Sequence, residues 1–312
     1  MPDECQACGN RLPKGKCFIK PEFGFQTDAE EPRRPSDSRP VKTYSTGINF
    51  VDDDRQGTET TLQMPGGHVN VEMLHRGRLA VLNTSHFKLC YTCGYALPVT
   101  DAPKKATQPH APPWSNGKKS KKNCQGTLYF VDLGHEFETD VVKLVVSESG
   151  ATMHGRGDWL SLLYALLEGA SSALNIQRED LDGCLFPRGR LLPPALVLFD
   201  NVPGGAGHVR RLAESMCDVL KKALATVAGD CGCGGGEGGV GNTSCYGCLR
   251  TYQNQWCHDD LRRGPARDFL HRLLGPSASG GHGSSTPTIP PSISTASSDR
   301  APKRWRLFGS RT

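Results

Sequence analysis

The stretch from Asp230 to His258, DCGCGGGEGGVGNTSCYGCLRTYQNQWCH, constrains the fold more than any other part of this 312-residue chain. Cys231 and Cys233 form one close pair and Cys245 and Cys248 another, with Gly234, Gly235, Gly236, Gly238, Gly239 and Gly241 between them. A loop so rich in glycine builds no core and loses much conformational entropy on ordering. Four thiolates in two pairs close a tetrahedral zinc site, and a metal cross-link at both ends is a simple way to fix the loop. The first pair is Cys-x-Cys, tighter than the usual zinc knuckle, and four unrelated thiols are the plain alternative.

The remaining cysteines sharpen the choice of compartment. There are 13 in all, an odd number, and several stand in Cys-x-x-Cys pairs. The N-terminus MPDECQACGN lacks a basic-then-apolar signal pattern, and nowhere do 18 apolar residues run together. A soluble cytoplasmic protein with metal thiolates, away from membranes, is therefore expected over a secreted disulfide scaffold. The net charge of +5 is misleading, because the tail from Gly275 supplies +4 of it. A nucleic-acid surface on the folded body has to be local.

Along the chain, residues 1–88 read as a β-rich N-terminal region that opens on Cys5-x-x-Cys8. Apolar alternation from Thr43 to Thr84 predicts short antiparallel strands with turns at Gly66-Gly67 and Arg76-Gly77. Residues 89–125 hold Cys90-x-x-Cys93-Gly94 and an insertion with Lys104, Lys105, Lys118, Lys119, Lys121 and Lys122. Residues 126–274 form an α/β unit. Strands are predicted at 127–134 and 137–146, and Asp158 as N-cap of a helix buried through Leu160, Leu163, Leu167, Ala170 and Leu174. ALVLFDNV (195–202) reads as a strand buried on both faces, followed by a helix from His208 to Val227 and a last one from Pro265 to Leu274. Residues 275–312 are a basic tail, disordered by composition. The expected class is α/β (α+β): a mixed sheet with packed helices, a β-rich N-terminal part and a zinc-stapled glycine loop.

Three further constellations carry chemistry. Cys90 and Cys93 are half of a zinc site, completed either by His110 and Cys124, which closes a local loop at low entropic cost, or by Cys5 and Cys8. His135, Glu136 and Asp140, with Asp200 and His208 from LFDNVPGGAGH, could hold a divalent metal for a nuclease or phosphohydrolase. A solvated strand face and a tight strand-to-helix turn are the plain readings of the same residues. Arg250, Arg262 and Arg263, with Lys118, Lys119, Lys121 and Lys122, are candidate phosphate contacts. Cys17, Cys184, Cys217 and Cys257 have no pair spacing and read as packing residues.

The motifs Leu133-Gly134-His135-Glu136-Phe137 with Thr139-Asp140, then Leu198 to Gly207, then Ser244-Cys245-Tyr246-Gly247-Cys248-Leu249-Arg250 with Tyr252-Gln253-Asn254-Gln255 and His258 occur in that order. In this they resemble the C-terminal zinc-binding domain of the mitomycin-repair factor A helicase family, and a domain of the DrmB subunit of the DISARM phage-defence system. The resemblance implies a zinc site at Cys231, Cys233, Cys245 and Cys248. It also implies a non-catalytic role on DNA beside a superfamily-two helicase, in repair or phage defence. No Walker motif or other ATPase motif occurs in the chain, so the helicase is expected to be a separate subunit or an upstream polypeptide. A protein-interaction scaffold without DNA contact is the other possibility.

Overall fold

The structure is a computed structural model that describes residues 18–20, 46–51, 57–83, 86–99, 109–112, 123–148, 153–189, 192–229, 231, 233 and 243–275. Cys5, Cys8, Cys17, all six lysines of the 104–122 insertion, the glycine loop 234–242 and the tail beyond Gly275 lie outside the described residues. The strands are β1 (Phe18–Ile19), β2 (Thr46–Val51), β3 (Thr58–Met64), β4 (Gly67–Asn83), β5 (Phe87–Cys90), β6 (Ala96–Pro98), β7 (Leu128–Glu148), β8 (Leu181–Phe186) and β9 (Ala195–Asp200). The helices are α1 (Arg156–Leu174), α2 (His208–Glu214), α3 (Met216–Ala228) and α4 (Arg263–Leu274).

Two long strands are the spine. β4 and β7 pair antiparallel from Gly67↔Glu148 to Leu82↔Gly134. β2 and β3 pair with the two halves of β4, β5 with the start of β7, and β9 with its middle; β8 follows β9, and β1 joins β7 parallel. The sheet is thus mixed, as expected, but nearly all antiparallel. The expected break at residues 134–136 is absent: Gly134 takes its place in the ladder opposite Leu82, and β7 runs unbroken for 21 residues. The expected turn at Arg76-Gly77 is likewise a bulge inside β4, where the register shifts between Leu74 and Gly77 and Arg76 takes φ 56°. A bulge bends the strand while leaving the pairing on both sides intact.

β9 is buried along its whole length, and its two faces serve different cores. Leu196 and Leu198 join α1, α2, α3 and α4, whereas Val197 and Phe199 join Phe50, Leu74, Leu79, Val141 and Cys184. Its apolar run reflects burial on both faces, as expected, within antiparallel rather than parallel pairing. α1 begins at Arg156 with Gly155 as its N-cap, so Asp158 lies in the first turn and accepts the amide of His154 instead of capping. The predicted helix from His208 to Val227 breaks at Ser215 into α2 and α3. Cys184 and Cys257 are buried as packing residues, but Cys217 is exposed.

The turn after β9 is built by one carboxylate. Asp200 is fully buried and accepts the amides of Ala206, Gly207 and Val209 at 2.6, 2.7 and 3.0 Å. Thr139 of β7 donates its hydroxyl towards the carbonyls of Asp200 and Val202, at 3.0 and 2.9 Å. Gly205 has φ +82°, and a Cβ there would come within 2.9 Å of Asp140. The motifs around Thr139-Asp140 and Asp200 to Gly207 therefore stitch β7 to the start of α2. Asp200→Ala orphans three amides of the turn, that of Val209 fully buried, and is expected to cost about 2 to 3 kcal/mol. Urea unfolding measures this, and an unchanged midpoint would contradict it.

Candidate metal centres

The fold brings together two sets of ligand-type residues. Cys231, Cys233, Cys245 and Cys248 form one, and Cys90, Cys93, His110 and Cys124 the other; in each, the ligand atoms all lie within 4.8 Å of one another. Zinc–sulfur bonds of about 2.3 Å in a tetrahedron put neighbouring sulfurs about 3.8 Å apart. The observed separations are 3.7 Å for Cys233–Cys248, 3.9 Å for Cys245–Cys248 and 3.9 Å for Cys90–Cys124. Cys231 and Cys233 approach to 3.2 Å, well beyond a disulfide bond of about 2.05 Å. Soft thiolates and one imidazole suit zinc rather than the oxygen-seeking cations. Bound there, zinc would serve as a closed, structural cross-link with four protein ligands.

The first centre stands at the end of α3 and the approach to α4. After Cys245 the chain turns sharply, and the amides of Cys248, Leu249 and Arg250 all converge on the Cys245 carbonyl, at 3.1, 3.1 and 3.0 Å. The amide of Gly247 donates to Cys245 Sγ at 3.3 Å, and that of Cys245 to Cys248 Sγ at 3.2 Å. Arg263 at the start of α4 is buried, and its guanidinium donates to Cys231 Sγ at 2.9 Å and to the Gly229 carbonyl at 2.7 Å. A cation thus offsets part of the charge that four thiolates would place there. Behind the knuckle, buried Asn254 takes the amide of Thr251 and donates to the Leu249 carbonyl. His258 Nε2 lies 3.0 Å from the Thr251 carbonyl and 2.9 Å from Asn254 Oδ1, so it donates from that nitrogen.

The second centre joins β5 to the entry of β7. Cys90, Cys93 and His110 are buried, and His110 presents Nε2 3.1 Å from Cys93 Sγ while its ring stacks on Tyr95 at 4.7 Å. His110 and Cys124 exchange backbone hydrogen bonds, which draws both ends of the lysine-bearing insertion to the site. The amide of Gly94, which follows Cys93, bonds the Cys90 carbonyl at 2.8 Å. Gly126 supplies an amide at 3.3 Å from Cys124 Sγ, and a Cβ on it would lie 2.5 Å from Cys90 Sγ.

Burial works against the thiolate at Cys90, Cys93, Cys233, Cys245 and Cys248, and other groups then divide these sulfurs. Burial is outweighed at Cys245 by the Gly247 amide and neighbouring thiols, which bring it to about 7, while burial and the adjoining sulfurs push Cys233 and Cys248 up. Burial is outweighed at Cys90 by the amides of Cys93 and Thr92, which bring it to about 6, whereas burial and the nearby thiols push Cys93 up to about 12. Negative charge on neighbouring sulfurs repels, and a dication held among the ligand atoms of either set would offset that repulsion.

The other sequence candidates go elsewhere. His135 and Glu136 are exposed on opposite faces of β7, Asp140 lies 3.3 Å from His75, and Asp200 is consumed by the turn amides. With His208 they form no metal-binding group among the described residues. Arg263 is buried against Cys231, and Arg250 is held by Ser244 Oγ and the His258 carbonyl at 3.0 and 3.3 Å, so both have partners around the knuckle. Arg262 pairs with buried Asp158 at 3.0 Å, with its side chain half exposed. The thiolate role of Arg263 has no signal in spacing, because it comes from 32 residues away.

Residues 162–249 match the family model of the MrfA Zn-binding domain. This part of the chain is an MrfA-like zinc-binding domain. The match contains the whole first centre and ends one residue after Cys248, while the second centre lies outside it. The chain is also 27% identical, over 298 residues and 86% of its length, to the Druantia protein DruE of Escherichia coli (strain UMEA 4076-1). It spans 15% of that relative. The crystal structure of the DUF1998 helicase MrfA bound to DNA overlaps with a TM-score of 0.40 at 13% identity, over 74% of this chain and 25% of that one. The same helicase bound to DNA and AMPPNP gives 0.30 at 13% identity, over 69% and 22%. Neither overlap is close enough to carry residue roles across.

Arg263→Gln is expected to weaken zinc at the MrfA-like centre about 10- to 100-fold and leave the second centre unchanged, measured by competition with a chromogenic chelator. Equal loss at both, or none, would contradict the role of Arg263. Zinc binding needs thiolates, so protons compete with the metal and affinity falls as pH drops. Chelator competition at pH 8 and pH 6 is expected to show the weaker binding at pH 6; equal affinity at both would contradict it.

Proposed function

We propose that this chain is a zinc-stapled accessory module that acts on DNA beside a superfamily-two helicase and is non-catalytic by itself. The observation that carries the reading is the MrfA-like zinc-binding domain with its four-cysteine centre in place. The setting of this role is DNA repair or phage defence. Zinc would make the segment from Cys245 to His258 a rigid element, and the MrfA-like domain would work as one unit with the β2–β4 region, whose strands share its sheet. Phosphate contacts are assigned to Lys118, Lys119, Lys121 and Lys122, on the insertion whose ends meet at His110 and Cys124, with Arg262 beside the first centre. No ATPase motif is present in this sequence, so unwinding would belong to the helicase.

The full chain is expected to bind DNA with an affinity that falls steeply with salt. Replacing the four lysines by alanine should weaken binding and flatten the salt slope by about one unit per lost contact. Incubation with magnesium or manganese should leave the DNA intact. Cleavage abolished by His135→Ala would overturn the non-catalytic reading, and the absence of DNA binding at low salt would overturn the DNA role.

A further inference from the structure

The exposed aromatic side chains of this chain are not scattered. Among the described residues the exposed large hydrophobic side chains are Tyr91, Tyr129, Phe130, Leu192, Val202, Tyr246, Tyr252 and Trp256. All six aromatics in that set belong to the two metal-centre segments, whereas the two aliphatic residues do not. Each knuckle has the form Cys-Tyr-x-Cys, and the tyrosine stands out in water in both, Tyr91 at 63% and Tyr246 at 67% exposure.

The MrfA-like centre shows what holds them there. Tyr246 is fixed between two ligand-type cysteines and meets the His258 ring edge-on at 5.5 Å. Tyr252 and Trp256 flank Asn254, which with His258 fixes the turn between them. Arg156, itself exposed, lies over the Trp256 ring at 5.8 Å. The cysteines, Asn254 and His258 all have structural work; Tyr246 and Tyr252 have none in the core. Large rings set out in solvent on a turn fixed by buried Asn254 mark a binding surface.

We infer that this face is a stacking platform for the bases of single-stranded nucleic acid, with Tyr246, Tyr252 and Trp256 as its rings and Arg156 as its cation. Among the described residues of the Cys245–His258 segment no exposed Leu, Ile or Val stands with these rings, which argues for this occupant. A protein partner would be met by a mixed apolar patch, whereas separate π-faces interleaved with Gly247, Gln253 and Gln255 suit unstacked bases. Duplex bases are already stacked and would not meet these rings. The inference rests on the DNA reading above and adds the strand form and the residues that grip it.

The test uses the full zinc-loaded chain and a labelled thymine oligonucleotide, followed by fluorescence anisotropy against salt. Tyr246→Ala and Tyr252→Ala are each expected to raise Kd about 5- to 150-fold with the salt slope unchanged, and Tyr→Phe at either position to restore binding, because stacking needs the ring and not the hydroxyl. Zinc content and melting temperature of the variants should match the parent chain. Alanine variants that bind the oligonucleotide as tightly as the parent would overturn the platform while leaving the lysine-dependent DNA role standing. A preference for duplex that the ring variants do not alter would do the same. Binding of neither strand form would overturn both. Self-association lost in the ring variants, with no effect on DNA, would assign the face to protein and overturn the inference.

Discussion

Four sulfurs gathered within 4.8 Å are the constraint on which the rest of this structure turns. Backbone amides donate to Cys245 and Cys248 and one arginine to Cys231, but four negative charges at this separation must be met by something stronger. A divalent cation supplies it, and the geometry of both groups suits zinc. Without the cation, the knuckle at Cys245–Cys248 is a tight turn next to a glycine run that has no core of its own to hold it.

The remaining architecture positions these two staples. The long β4–β7 pair is a rigid spine, and its ends and flanks receive β5 and the second centre on one stretch and the β9–α2 turn on another. The helices lie on one side of that sheet, where Leu196 and Leu198 meet α1, α3 and α4. α4 then returns to the first centre through Arg263, so the helical layer and the metal site are joined by a charge-assisted hydrogen bond. Buried Asp200 plays the corresponding part at the other turn, where three backbone amides meet its charge.

Much of this was legible in the sequence where the signal is local. Cysteine spacing picked out the residues that the fold brings together at Cys231–Cys248, and loop closure favoured His110 and Cys124 as neighbours of Cys90 and Cys93. The apolar run of β9 and the buried face of α1 followed from periodicity. What failed depended on distant partners. Gly134 and Gly77 look like turn residues, yet strand pairing absorbs both into long strands, one through a bulge. The plain readings of His135 to Asp140 and of Asp200, a strand face and a tight turn, agree with β7, where alternation parts His135 from Glu136 and Asp140, and with the turn amides that claim Asp200. Arg263 looks like a phosphate contact because charge is visible in sequence and burial against Cys231 is not.

The most direct measurement is zinc stoichiometry of the intact chain by native mass spectrometry, with Cys245→Ser and Cys93→Ser beside it. Two zinc ions in the parent chain, with one lost in each variant, is the result this account predicts. A folded chain that carries no zinc would contradict it.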